Sequence, residues 1–232
     1  HLSIRRQRQM CIRDRFMPFS LMDLAVQRYG HRGSLWITRF RFITLEGMKV
    51  AAVQLTSTGN ITENQEIALA KIREAAGNGA RLIVLPEATS QNFRSGRLDE
   101  QAQSLEGPFA TAIQALAEEL EVTVVAGMFC PADTVERDGK TINRVSNTAL
   151  IAGPGVLGGY DKIHTYDAFD YRESDTVLAG ESLVAFDVDD LVVGVATCYD
   201  IRFPEQFKEL ASQGAQLIVV PTSWADGPGK LE

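Results

Sequence analysis

From residue 49 onward, short apolar runs alternate with amphipathic stretches. "KVAAVQLT" (49–56) opens with an apolar run of strand length. Asn60 or Thr62 can cap the helix that follows, with Ile67, Ala70, Lys71, Ile72 and Ala75 at helical spacing and "GNG" (77–79) to stop it. "ARLIVLPEAT" is continuously apolar before its proline, which predicts a strand covered on both faces. Pro108 starts a second helix, "PFATAIQALAEEL", and "VTVVAGMF" is the next strand. "RDGKTINR" (137–144) reads as a polar turn between two strands, and "NTALIAGPGVLGGYDK" as a strand that bends at its glycines. A further buried strand ends at Cys198, and Pro204-Glu205 starts the helix after it.

This alternation argues for an α/β layered fold. One phrase occurs twice: "NGARLIVLPEATS" (78–90) and "QGAQLIVVPTSWA" (213–225) share a Gly stop, an alanine, an apolar strand and a proline followed by polar groups. Each copy follows a strand and an amphipathic helix, so two similar halves are expected to pack together. Sites in such sheets are built at the carboxyl ends of strands. Glu87, Cys198 and the trio Thr222, Ser223 and Trp224 each follow a strand end, and the three ends could face one pocket.

Composition changes the picture at the N-terminus. Residues 1–47 hold nine arginines, no lysine and three acids, a net +6, against a net charge of −7 for all 232 residues. That segment lacks periodicity and is set apart from the fold as a non-native or disordered basic leader, with the domain starting at Met48; a targeting peptide or a nucleic-acid-binding arm are the alternatives. Overall, 45% hydrophobic and 23% charged residues describe an ordinary soluble chain, and no apolar run approaches the ~20 residues that cross a bilayer. Three cysteines without a CxxC pair argue against a disulfide framework or a structural zinc site, and a reducing, cytoplasmic compartment is the default.

From Met48 onward His164 is the only histidine, so Ser-His-Asp or Cys-His catalysis would rest on it alone and a two-histidine metal site within the chain is excluded. The stretch "GVATCYDIRFPE" (194–205) places a thiol between an apolar strand and a run of charge. A thiol is only a few per cent ionised at neutral pH, so a nucleophilic Cys198 needs a base or a cation nearby. His164, Lys162 and Glu173 compete for that role, as does a carboxylate whose pKa burial raises, such as Glu87 after "LIVLP". Each has an ordinary rival: a solvated or capping glutamate, a surface lysine, an inert buried cysteine, a hydrogen-bonded structural histidine. Cys130 and the glycines of "GPGVLGG" read as packing and turn residues.

"LPEA" (85–88), "YDKIHTYD" (160–167) and "CYDIRFPE" (198–205) together resemble the three signature blocks of the nitrilase superfamily of carbon-nitrogen hydrolases, in the same order. The resemblance runs from about residue 48 to 232. It implies an α/β fold, a four-layer α-β-β-α sandwich, here C-terminally truncated by roughly its last quarter. It implies Glu87 as general base, Lys162 as the cation beside the developing oxyanion, Cys198 as nucleophile and Glu173, in "YRES", as a second glutamate beside the lysine. Such a site hydrolyses a non-peptide C–N bond through a thioester with no cofactor or metal. Cys-Tyr-Asp followed by "IRFPE" is similar to the amidase branch, which favours a small-molecule amide, such as an ω-amide of an α-keto acid or a deaminated glutathione-like compound. A nitrilase, an N-carbamoyl amide hydrolase or an inactive binding homologue are the alternatives. The backbone N–H of Tyr199 is a second oxyanion donor, and Phe93, Phe169 and Trp224 are candidates to line the pocket. Asp200, Arg202 and Glu205 are expected to form an ion-pair network that shapes the cysteine loop. The family further implies a homodimer or higher homo-oligomer, with no nucleic acid or membrane partner.

Overall fold

The computed structural model describes residues 39–45, 47–168 and 171–224. Its main sheet runs β1 (Arg39–Leu45), β2 (Met48–Gln54), β3 (Leu82–Val84), β4 (Thr123–Arg137), β5 (Lys140–Gly153) and β6 (Val156–Asp161), with the short β9 (Val177–Leu178) also on β5. A two-stranded ribbon, β7 (Asp167–Ala168) and β8 (Tyr171–Arg172), precedes β9. A second sheet has the order β10 (Val184–Val188), β11 (Leu191–Val195), β12 (Leu217–Val219). Among the described residues the α-helices are α1 (Ile61–Gly77), α2 (Pro108–Glu119) and α3 (Pro204–Ser212).

The layers follow from which side chains each strand sends to each face. In β2 and β3, Ala51, Val53 and Ile83 pack against Ala68 and Ile72 of α1 and Phe109 and Ile113 of α2. Met48, Val50 and Leu82 face the other way, onto Val193, Val195 and Val219 of the second sheet. A strand buried on both faces needs no alternation, which is why "LIVL" is continuous. On the far side of the second sheet, Gly194 leaves room for buried Leu210 of α3, whose methyls lie 3.2–3.3 Å from where a Cβ would stand. The result is helices, sheet, sheet, helix: the expected four-layer sandwich.

The doubled phrase marks two parallel crossover units. β2 pairs parallel with β3 across α1, and β11 pairs parallel with β12 across α3. A parallel pair cannot be joined by a tight turn and needs such a crossover. Each helix ends before a glycine at positive φ, Gly79 (+84°) and Gly214 (+98°), a conformation that costs an L-residue but not glycine. The next strand is then entered by the same bond in both copies, Arg81 N–H to Lys49 O (2.8 Å) and Gln216 N–H to Val192 O (2.9 Å).

Local signals behave as read at the helix starts. Asn60 Oδ1 accepts the N–H groups of Thr62 (2.9 Å) and Glu63 (3.2 Å), capping α1, and Pro108 and Pro204 open α2 and α3. Three expectations need correction. The polar turn is Asp138-Gly139 alone, both at positive φ, and Lys140 onward already belongs to β5, because this two-residue turn matches strand twist without splaying the long β4–β5 hairpin. "NTALIAGPGVLGGYDK" is two strands, β5 and β6, reversing at Pro154-Gly155. β1 falls within the segment set apart as a leader, yet it pairs with β2 from Arg39↔Gln54 to Leu45↔Met48 and buries Phe40, so the sheet begins before Met48.

Candidate active site

Glu87 stands three residues beyond the end of β3, and the chain around it is tightly tied. Ser90 N–H donates to Gly127 O (3.1 Å), Thr89 Oγ1 to Pro86 O (2.6 Å), and buried Asn64 of α1 donates its amide to Ser90 O (2.9 Å). Ala88 adopts a left-handed φ of 57°. At Gly127 of β4, a Cβ would stand 2.4 Å from Ala88 N and 2.5 Å from Glu87 Cα, so only glycine lets this turn lie on the strand.

Lys162 follows β6, and its N–H donates to Asn147 O of β5 (2.9 Å). Glu173 sits in a 3₁₀ turn (Glu173–Asp175) and exchanges bonds with Tyr166: Glu173 N–H to Tyr166 O (3.1 Å) and Tyr166 N–H to Glu173 Oε2 (2.6 Å). Lys162 Nζ donates to Glu173 Oε2 (2.7 Å) and to Glu87 Oε1 (3.3 Å), and all three residues are 2% exposed. Burial alone would lower the lysine's pKa, but the two carboxylates outweigh it and hold the ammonium form above the ordinary lysine range.

Cys198 follows β11 at the start of a 3₁₀ turn (Cys198–Arg202), with φ of 48°. A non-glycine residue there stores on the order of 1–3 kcal/mol of strain, which the surroundings must sustain. Its N–H donates to Pro221 O (3.0 Å), and Ser223 N–H donates to Glu87 Oε2 (2.9 Å), so the ends of β3, β11 and β12 meet as the doubled phrase led one to expect. Burial first and the Glu87 charge second push the Cys198 thiol up to about 12, against the opposing pull of the Lys162 ammonium. At neutral pH the resting sulfur is therefore protonated.

Asn147 was absent from the sequence-derived candidates, although it binds both carboxyl groups: its Nδ2 donates to Glu87 Oε1 (2.8 Å) and Glu173 Oε1 (3.1 Å). The available signal was an amide, Asn147, at the head of the apolar run "NTALIAG" of β5. Tyr199 lies in the cysteine turn, its ring edge-on to Tyr166 (5.0 Å) and Phe203 (5.7 Å). Phe93 packs instead into a small core cluster with Ala88, Phe129 and Val145, edge-on to Phe129 at 5.2 Å. Trp224 is 67% exposed, and Phe169 lies outside the described residues.

The expected network of Asp200, Arg202 and Glu205 is not what forms. Asp200 is fully buried and binds Tyr160, Thr197 and His164, whereas Arg202 and Glu205 are exposed and make no ion pair with it among the described residues. A carboxylate enclosed in the loop is satisfied by close donors, while long side chains on the outer face of the turn gain more from water. His164 takes the structural role open to it, with Nδ1 2.8 Å from Asp200 Oδ1 and its ring stacked on Phe203 at 3.5 Å. Among the described residues no His, Cys, Asp and Glu cluster could hold a metal ion, and no helix is long and apolar enough to cross a membrane.

The family model for carbon-nitrogen hydrolase matches residues 49–230. The chain is 44% identical over 190 residues to Hydrolase Rv0480c of Mycobacterium tuberculosis, covering 80% of this chain and 64% of that protein's length. It is 36% identical over 186 residues to deaminated glutathione amidase of Escherichia coli O157:H7 (79% and 68%) and 32% identical over 193 residues to omega-amidase NIT2 of Danio rerio (79% and 67%). The fold is similar to that of an amidase of the nitrilase superfamily from Nesterenkonia sp. AN1, with a TM-score of 0.65 at 21% identity, covering 79% of this chain and 68% of that one. With the family's model spanning residues 49–230, the chain belongs to the carbon-nitrogen hydrolase family.

Proposed function

We propose that the protein hydrolyses a linear amide to an acid and ammonia or an amine, with Cys198 as nucleophile, Glu87 as general base and acid, and Lys162 as the oxyanion's cation. The observation that carries this reading is the buried Glu87–Lys162–Glu173 cluster beside a strained, protonated thiol. A thiol with so high a pKa does not wait as a thiolate. Glu87 takes its proton as sulfur attacks the amide carbon, so charge passes from sulfur to the carbonyl oxygen without a free thiolate. Lys162 and the Tyr199 N–H then receive the oxyanion, each preorganised donor contributing on the order of 3 kcal/mol. Glu87 returns the proton to the departing nitrogen, the C–N bond breaks, and a thioester remains. Water, deprotonated by the same carboxylate, hydrolyses the thioester and restores the thiol. Glu173 keeps Lys162 protonated and aimed throughout.

The names of the relatives support small carboxylated amides as substrates: deaminated glutathione amidase and omega-amidase. Homo-oligomeric assembly and a cytoplasmic location belong to the same reading, checked by sedimentation and by localising the tagged protein. The deciding experiment is ammonia release over a panel of amides, carbamoyl compounds and nitriles. Turnover of an ω-amide by the chain and none by Cys198→Ala is the expected result; full turnover by Cys198→Ala overturns the mechanism.

A further inference from the structure

Asp200 lies where two segments that leave their sheets meet. After Lys162 the chain departs from β6, and its next two N–H groups have no strand to bind: Ile163 N–H donates to the Tyr160 hydroxyl (3.2 Å) and His164 N–H to Asp200 Oδ1 (3.0 Å). Before Cys198 the chain departs from β11, and Thr197 N–H donates to Asp200 Oδ2 (2.7 Å). The same oxygen accepts the Tyr160 hydroxyl proton (2.6 Å), and Oδ1 also faces His164 Nδ1 (2.8 Å). Every partner is a donor. Tyr160 has no choice, because its oxygen already accepts from Ile163 N–H and from Gln206 Nε2 (2.8 Å), leaving its proton for Asp200. His164 completes the set in the tautomer protonated at Nδ1.

We propose that Asp200 is a positioning residue that locks the cysteine turn to the Lys162 segment, holding thiol and ammonium at one separation through the reaction. The inference rests on the roles given above to Cys198 and Lys162. Only a carboxylate fits the position: it offers acceptors on both oxygens, whereas an amide would turn an NH₂ group toward two donors and leave a buried clash of like dipoles. Asp200 stands two residues along the chain from Cys198, and the His164 N–H it accepts stands two residues from Lys162, so a displaced carboxylate moves both groups. A misplacement of about 1 Å at a reacting centre costs on the order of 100-fold in rate.

The test compares ammonia release by the unmodified chain, Asp200→Asn and Tyr160→Phe, with thermal unfolding of each. The expected result is kcat lower by about 100-fold in Asp200→Asn and about 10-fold in Tyr160→Phe, with KM within about threefold, since the substrate pocket itself is untouched. Should Asp200→Asn fail to fold, Tyr160→Phe decides, because it keeps the buried ring and deletes a single donor. A folded variant with kcat within twofold of the unmodified chain overturns the inference, as does a loss of kcat that only tracks the folded fraction. An unmodified chain active in a Cys198-dependent way confines either failure to Asp200; an unmodified chain that releases no ammonia sinks both readings.

Discussion

Lys162 Nζ lies 2.7 Å from Glu173 Oε2, with both side chains 2% exposed. A buried pair of this kind gains little over apolar replacements when intact, but its members cannot be removed singly without leaving charge uncompensated. Lys162→Met is expected to lower the unfolding free energy by about 3–5 kcal/mol, read from urea denaturation midpoints at unchanged m value. A loss below about 1 kcal/mol would mean that the two carboxyl groups do not depend on the ammonium.

Glu87→Gln separates two properties that usually travel together. Burial and the Glu87 charge hold the Cys198 thiol near 12, so removing that charge lowers the thiol's pKa. Alkylation of Cys198 by iodoacetamide at pH 8–9 should accelerate by about tenfold or more, while amide turnover falls by at least about 100-fold for want of a base. Alkylation slower than in the unmodified protein would contradict the electrostatic account.

Stability should decline in alkali. Cys198, Tyr160 and Lys162 all hold their protons more tightly in the fold than the free side chains do. The unfolded chain therefore binds fewer protons, and the unfolding free energy drops as pH rises. For Cys198 the window opens at the ordinary thiol value of 9.0 and closes near 12. Urea titrations between pH 8 and 11 should show the decline, and Cys198→Ala should flatten its lower part.

Asn147→Ala removes one amide from two carboxyl groups at once. Hydrogen bonds to charged groups contribute about 1.5–3 kcal/mol each, so a destabilisation of roughly 3–6 kcal/mol is expected, with kcat reduced more than KM is raised. Asn147→Asp should be worse than Asn147→Ala, since it sets a third carboxyl group against the first two. The reverse order, in parallel thermal and kinetic measurements, would show that the amide is a spacer.

Much of this site was legible because its signals are local. Glu87, Lys162, Glu173 and Cys198 stand in short blocks whose residue types announce chemistry, and the doubled "LIV" phrase announced parallel strands whose ends carry polar groups. Asn147 was not legible, since an amide in a strand has many bland explanations until its two partners are seen. Gly127 was equally silent: its need for a missing Cβ arises from Glu87 and Ala88, some forty positions earlier. Asp200 was noticed but given the wrong partners, because adjacency in sequence favours Arg202 and Glu205 while the fold turns its carboxylate inward to Tyr160 and His164.

The main alternation of strands and helices, the helix caps, and the presence of an acid, a base and a thiol at strand ends were thus determined by the sequence alone, through periodicity and backbone preference that act within a few residues. The tertiary structure decided which of those groups touch. Ser223 and Glu87 stand 136 positions apart and Lys162 and Glu87 stand 75 apart, yet each pair shares a hydrogen bond. Such contacts are set by how the sheets and helices pack, and no local preference encodes them.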